Sequence, residues 1–315
     1  MRAKKFLTAI IFSVILSGAL YADEWTPDKL DQRRAIKNDS TPPSRLTPLN
    51  NLEPLENDEG VIRRVKIQGD EKFVSLTFDM CELDTVTTGC DMEVINFLRE
   101  KKIPATLFMG GKWIRTHSKR VKQIMSEEIF EIGNHNWSHG NCALLSDEKL
   151  RAQILWTQAE YELLREETGL ENINAVPKLF RLPYGRNSER SLKIISELGL
   201  RIIQWDVAAE AGDNSNIKTA KRNAKKVAGM TKSGSILLFH ANLVPKGTIN
   251  LLREVVKELE EQGYEFLKVS ELLDKGEIET VRSGYFTSPG DNLQLDKKFG
   301  SDGTGRKKKF SEQLK

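Results

Sequence analysis

His135 and His139 stand four residues apart in the stretch Gly133-Asn134-His135-Asn136-Trp137-Ser138-His139-Gly140-Asn141, and the 315-residue chain has only four histidines. Imidazole is a ligand for zinc-like divalent ions. Four-residue spacing sets two imidazoles on one side of a helical turn, where both reach a single ion. Such an ion can turn bound water into a nucleophile near neutral pH, so the pair points to metal-assisted hydrolysis. A pair alone also occurs by chance, and the rest of the chain must supply the other groups that hydrolysis needs.

The elements that would position those groups are legible in the apolar periodicity. From Phe73 onward, strand patterns at 73–78, 104–109, 129–134, 178–182, 201–207, 235–239 and 264–269 alternate with helical patterns. The helical stretches lie near 92–101, 115–127, 147–168, 188–198, 216–230 and 248–262, with a short one after Ser270. Repeated strand-then-helix units predict parallel strands joined by right-handed crossovers. An open doubly wound sheet and a closed barrel both satisfy that alternation. No glycine-rich phosphate loop follows the first strand, which counts against the nucleotide-binding sheet. Reactive side chains instead gather at strand ends: Asp79, His135, Arg181 with Tyr184, Asp206 and His240. Polar groups at the carboxyl ends of successive strands are what a barrel active site requires. Singly, each has a plain reading: Arg181 as an interior ion-pair partner, His240 as a satisfied core histidine, and His117 as a surface residue at a helix start.

Composition bounds the remainder. Arg2, Lys4 and Lys5 precede the apolar run from Phe6 to Leu16 and the small residues up to Ala22, which reads as a cleavable export signal over residues 1–22. Cleavage after Ala19 or after Ala22 fits, and no stable membrane span is expected. Residues 23–70 read as a polar arm, 71–274 as the catalytic domain and 275–315 as a tail. The net charge of +3 gives no case for nucleic acid. Cys81, Cys90 and Cys142 are an odd set for an exported chain, and one disulfide with one free thiol is the simplest expectation.

In order, Thr77-Phe78-Asp79, His135-x-x-x-His139, Arg181-x-Pro183-Tyr184, Trp205-Asp206 and Leu238-Phe239-His240 resemble the motifs of the polysaccharide deacetylase (NodB-homology) family, carbohydrate esterase family 4. The resemblance covers roughly residues 73–272 and implies a distorted (β/α)7 barrel, in line with the strand count. It implies removal of acetyl groups from an N-acetylated glycan with a divalent metal, zinc foremost, or cobalt, manganese or nickel. Among such glycans, peptidoglycan suits an exported protein of the periplasm or cell envelope. By the same resemblance His135 and His139 hold the metal and Asp79 is the general base. Arg181 keeps Asp79 ionised, the Tyr184 backbone N–H binds the oxyanion, and His240 is the general acid.

The chain departs from the family pattern at one telling place. The resemblance implies a second aspartate after Asp79 as third metal ligand, and Met80 stands there. A thioether is a poor ligand for such an ion, so Glu82, or else Asp91 or water, is expected to take over. Cys81 and Cys142 also lie near the motifs, where a disulfide or plain burial is the expected role. Asp206, Glu210 and Asp213 are all candidates for the acidic partner of His240. Two other functions stay open on the residues: a catalytically silent carbohydrate-binding protein and a small-molecule C–N amidohydrolase.

Overall fold

The computed structural model describes residues 25–32, 34–35, 41–83, 86–169 and 176–301. The expected export signal lies outside the described residues. Among the described residues, no helix is long and apolar enough to cross a membrane.

Seven strands close into a barrel, in the order Phe73–Met80, Ala105–Met109, Phe130–Asn134, Leu179–Phe180, Arg201–Ile203, Val61–Lys66 and Ser235–His240. Ser235–His240 returns to pair in parallel with Phe73–Met80 along six residues, from Ser235 opposite Val74 to His240 opposite Asp79. The expected barrel is therefore present, but its seventh strand is not the expected one. Residues Glu265–Phe266 form only a two-residue strand against Phe73 and Val74. The missing stave is Val61–Lys66, within the stretch read as an arm. Its Val61, Ile62 and Val65 are fully buried. It runs parallel to Arg201–Ile203 and meets Ser235–His240 through one antiparallel bridge, Ser235 opposite Arg64, which distorts the closure. Alternation is weak in Val-Ile-Arg-Arg-Val-Lys, where two adjacent arginines mask the apolar positions. The stretch read as a tail contributes as well: Glu277–Val281 pairs antiparallel with Val61–Lys66.

Strand alternation sorts the chemistry. In Phe73–Met80 the even positions Val74, Leu76, Phe78 and Met80 join the apolar cluster under the helices. The odd positions Ser75, Thr77 and Asp79 therefore face the barrel interior, because successive side chains point to opposite faces. Interior packing below them comes from Phe108, Leu179, Ile203, Trp205, Ile236 and Leu238.

Helices Met92–Lys101, Asp147–Thr168, Ile217–Met230 and Thr248–Glu261 lie where the periodicity placed them. Ser146 caps Asp147–Thr168 through the Lys149 N–H, and Gly169 ends it at φ 67°, a left-handed turn that glycine adopts freely. The single helix expected at 115–127 is two, Gly111–Thr116 and Ser118–Met125, hinged at His117. That hinge turns His117 inward, where it is buried and stacked on Trp113, so the surface role expected for it is wrong. The polar segment after Thr41 is also anchored: the buried Glu162 carboxylate accepts from the backbone N–H groups of Leu49 and Asn50.

Candidate active site

Backbone register carries the reactive residues to one rim of the barrel. Asp79 lies opposite His240 on one side and Phe108 on the other. The ladder continues past the strand ends, with His135 N–H bonded to Met109 O at 3.0 Å and Arg181 N–H to Asn134 O at 2.9 Å. Asp79, His135, Arg181 and His240 thus share the carboxyl end of the barrel.

The two imidazoles meet, though not across a helical turn as expected. Residues 135–140 form a loop in which Asn136 and His139 have φ of 65° and 57°. Asn134 and Asn136 shape it: Asn134 Oδ1 accepts from the Asn136 N–H at 2.9 Å, and the Asn136 amide donates to Gly140 O at 3.0 Å. Asparagine tolerates the left-handed region that Asn136 occupies, and Asn134 and Asn141 hold the flanking turns through their side-chain oxygens. The loop folds His139 back against His135, with ring centroids 4.9 Å apart.

His135 Nδ1 lies 2.9 Å from the Arg181 carbonyl oxygen, which only an N–H can satisfy. Nε2 is therefore left with its lone pair, and it is buried without a hydrogen-bond partner. A buried orphan of this kind is costly unless a ligand meets it, and a backbone carbonyl fixing the tautomer is the usual support for a metal-binding histidine. Burial lowers the pKa of His135 against the raising pull of Asp79. Burial, with His135 and His240 adding to it, holds His139 well below its ordinary value. Both rings are thus kept neutral, as a metal requires.

Asp79 Oδ2 is 3.5 Å from His135 Nε2, while Oδ1 accepts from Arg181 at 3.1 Å. The Arg181 guanidinium is fully buried and its donors are aimed. It donates to Thr77 Oγ1 at 2.8 Å and to the carbonyls of Ile203 and Gln204, each at 3.1 Å. Its plane covers the Phe108 ring at 4.1 Å. Such a network fixes one carboxylate position and leaves the guanidinium little else to do.

The His240 Nδ1 atom lies 2.6 Å from Glu210 Oε2, which decides among the three acids weighed for that role. Burial pulls the His240 pKa down, but the bond to Glu210 and the charges of Glu210 and Asp79 outweigh it, and the net shift is upward. Thr248 donates to the other Glu210 oxygen, a support that the sequence did not signal. Asp206 instead accepts from Ser235 Oγ at 2.7 Å and the Ile236 N–H at 2.9 Å, at the opposite end of that strand. Asp213 is exposed and caps its own turn at the Ser215 N–H.

The polysaccharide deacetylase family model matches residues 66–203. A peptidoglycan-N-acetylglucosamine deacetylase of Bacillus cereus is 32% identical over 211 residues, spanning 66% of this chain and 91% of the relative. The chain belongs to the polysaccharide deacetylase family. It is a hydrolase of that family, and its barrel is the family fold. A family 4 carbohydrate esterase from Bacillus anthracis superposes with a TM-score of 0.54 at 28% identity, covering 69% of this chain and 88% of that one. A family 4 acetyl xylan esterase from Clostridium thermocellum, solved in complex with cobalt, gives 0.52 at 26% identity, covering 64% and 91%. The matched segment of this polysaccharide deacetylase holds Asp79, His135, His139, Arg181 and Tyr184 but stops short of Glu210 and His240, which the barrel sets at the same rim.

The remaining expected residues fall as follows. Tyr184 sits at φ 60° in the turn Pro183–Gly185, its ring 4.4 Å from that of His139 and stacked on Phe299 at 5.0 Å. Phe299 belongs to the helix Leu293–Phe299, which Asp296 ties to Arg186 at 2.7 Å. Glu82 is not brought to the histidines. Its carboxylate accepts from Thr116 Oγ1 at 2.9 Å and lies 3.7 Å from His117, outside the cluster that His135 and His139 form. Asp91 caps the helix Met92–Lys101 by accepting from the Val94 N–H at 3.2 Å, and burial pushes its carboxyl up to about 6. All three cysteines are free thiols, contrary to the disulfide expectation. Cys81 is the one that comes to the pair: its Sγ and a ring nitrogen of each of His135 and His139 all lie within 4.8 Å of one another.

Proposed function

We propose that this enzyme hydrolyses the acetamido group of an N-acetylated glycan, peptidoglycan foremost, outside the cytoplasm. The observation that carries the reading is the buried, unpartnered His135 Nε2 beside an Asp79 carboxylate held by Arg181. The donor chemistry fits a zinc-like ion, held by His135 and His139 as neutral imidazoles. When bound, the ion would polarise the acyl carbonyl and lower the pKa of water.

The chain's own groups do the rest. Asp79 takes a proton from the attacking water, and Arg181 positions the carboxylate without competing for that proton. The Tyr184 backbone N–H, presented by its left-handed turn, donates to the developing oxyanion. His240 is the acid for the leaving nitrogen. Its Nδ1–H is engaged by Glu210, so Nε2 delivers the proton. The side chain is 27% exposed, enough to meet a substrate lying across the rim. The positively charged start and apolar run of residues 1–22 support export, and the Bacillus cereus relative is named for a cell-wall substrate.

Acetate release from peptidoglycan and from N-acetylglucosamine oligomers tests the activity, and elemental analysis of the His135→Ala/His139→Ala double variant tests the metal. The reading expects release by the wild type and loss of metal from a folded double variant. A wild type that releases no acetate and carries no metal would give the lead to a silent glycan-binding role.

A further inference from the structure

The site as read from the histidines alone is one protein ligand short, and the residue that supplies a carboxylate in the family pattern is Met80. Met80 cannot substitute: its side chain is fully buried in the apolar cluster under the helices, on the face of the strand opposite Asp79. Strand alternation then returns the next residue to the side of Asp79. That residue is Cys81.

We infer that Cys81 is the third protein ligand, completing a Cys-His-His site for zinc or a similarly thiolate-tolerant ion. The inference rests on the metal reading above and goes further by assigning the ligand set. Four observations carry it. The Cys81 sulfur and the two imidazoles are clustered within 4.8 Å, the only group of three metal-competent side chains among the described residues. The buried His135 Nε2 in that cluster has no hydrogen-bond partner. The carboxylates that could compete are engaged elsewhere or fall outside the cluster: Glu82 is at Thr116, Asp91 at its helix cap, and Asp79 is held by Arg181. Finally, the buried Asn242 amide approaches the Cys81 sulfur at 3.8 Å and its carbonyl at 3.3 Å, contacts that hold the residue in place beside the two imidazoles.

The exchange conserves charge. A thiolate carries the same single negative charge as the carboxylate it replaces, so the net charge of ion plus ligands is unchanged. Softness does change: sulfur favours zinc and cobalt over manganese and magnesium. Two imidazoles and one thiolate leave a fourth position open, as in hydrolytic zinc sites.

The test is cobalt substitution of the full mature protein, read by absorption spectroscopy with zinc competition for affinity. Wild type should show a near-ultraviolet sulfur-to-cobalt charge-transfer band beside the visible ligand-field bands. Cys81→Ser should lose the charge-transfer band and bind zinc more weakly by at least tenfold. Cys81→Asp should lose the band yet keep the ligand-field bands and much of the affinity. Two results overturn the assignment while leaving a metal enzyme: ligand-field bands in wild type without the sulfur band, or a Cys81→Ser protein with unchanged spectrum and affinity. A folded wild type that takes up neither cobalt nor zinc overturns the metal reading itself, and this assignment with it.

Discussion

Glu210 and His240 stand level with one another because Val207 and Ala208 pair in parallel with Leu237 and Leu238. Two residues further along both chains, the same register sets a carboxylate against an imidazole. The acid of the proposed reaction is therefore placed by strand pairing, with Glu210 just past the strand end and held by Thr248.

The pH dependence follows from that pair. A histidine whose pKa is raised keeps its proton to higher pH, so the protonated acid is fully present below pH 6.5 and is lost as pH rises through the raised value. kcat should fall along that alkaline limb. Glu210→Gln removes the raising partner and should move the limb to lower pH, whereas a merely structural role for Glu210 would lower kcat without moving it.

Asp79→Asn should lower acetate release by roughly 10²–10⁴-fold, the usual worth of a positioned general base. Metal content should stay at the wild-type level, because Asp79 is not among the clustered ligand atoms. Comparable turnover in the variant would remove Asp79 from the base role.

Arg181→Met should cost roughly 3–5 kcal/mol of folding stability, because it strands the Asp79 carboxylate in a buried site and empties four aimed hydrogen bonds. Urea denaturation measures it. Repairing the loss with Asp79→Asn in the same chain should recover much of the stability, since the stranded charge is then gone.

Met80→Asp restores the letter of the family motif but not its geometry. The new carboxylate would be buried among Phe78, Met109 and their neighbours, so the variant should lose roughly 3–5 kcal/mol of stability and gain no zinc affinity. Tighter zinc binding in a stable Met80→Asp protein would show that the strand can rotate to present that position.

The sequence carried the parallel alternation, most helix bounds and the rim residues Asp79, His135, Arg181 and His240, each at the end of a strand-like stretch, with His139 marked by its spacing from His135. It did not carry what depends on pairing between distant segments. Glu210 could not be chosen over Asp206 without knowing that residues 206–210 run alongside 236–240. Cys81 reads in the sequence as a disulfide or a buried thiol, and only the alternation past the strand end brings its sulfur to the two histidines. Val61–Lys66 escaped notice because its arginines obscure a stretch buried on most of its length.

That strand has a kinetic consequence. Val61–Lys66 finds its neighbours at Arg201–Ile203, Ser235 and Glu277–Val281, so the wall of the barrel is stitched from opposite ends of the described chain. Such wiring gives a high contact order, and long loops must close before the contacts that reward them form. A nascent chain leaving the ribosome holds Val61–Lys66 as an unpaired edge until the last of its partners has been made. Translation stopped before residue 277 would leave that edge open, with the rim residues Asp79, His135, Arg181 and His240 all present and one side of their barrel uncovered.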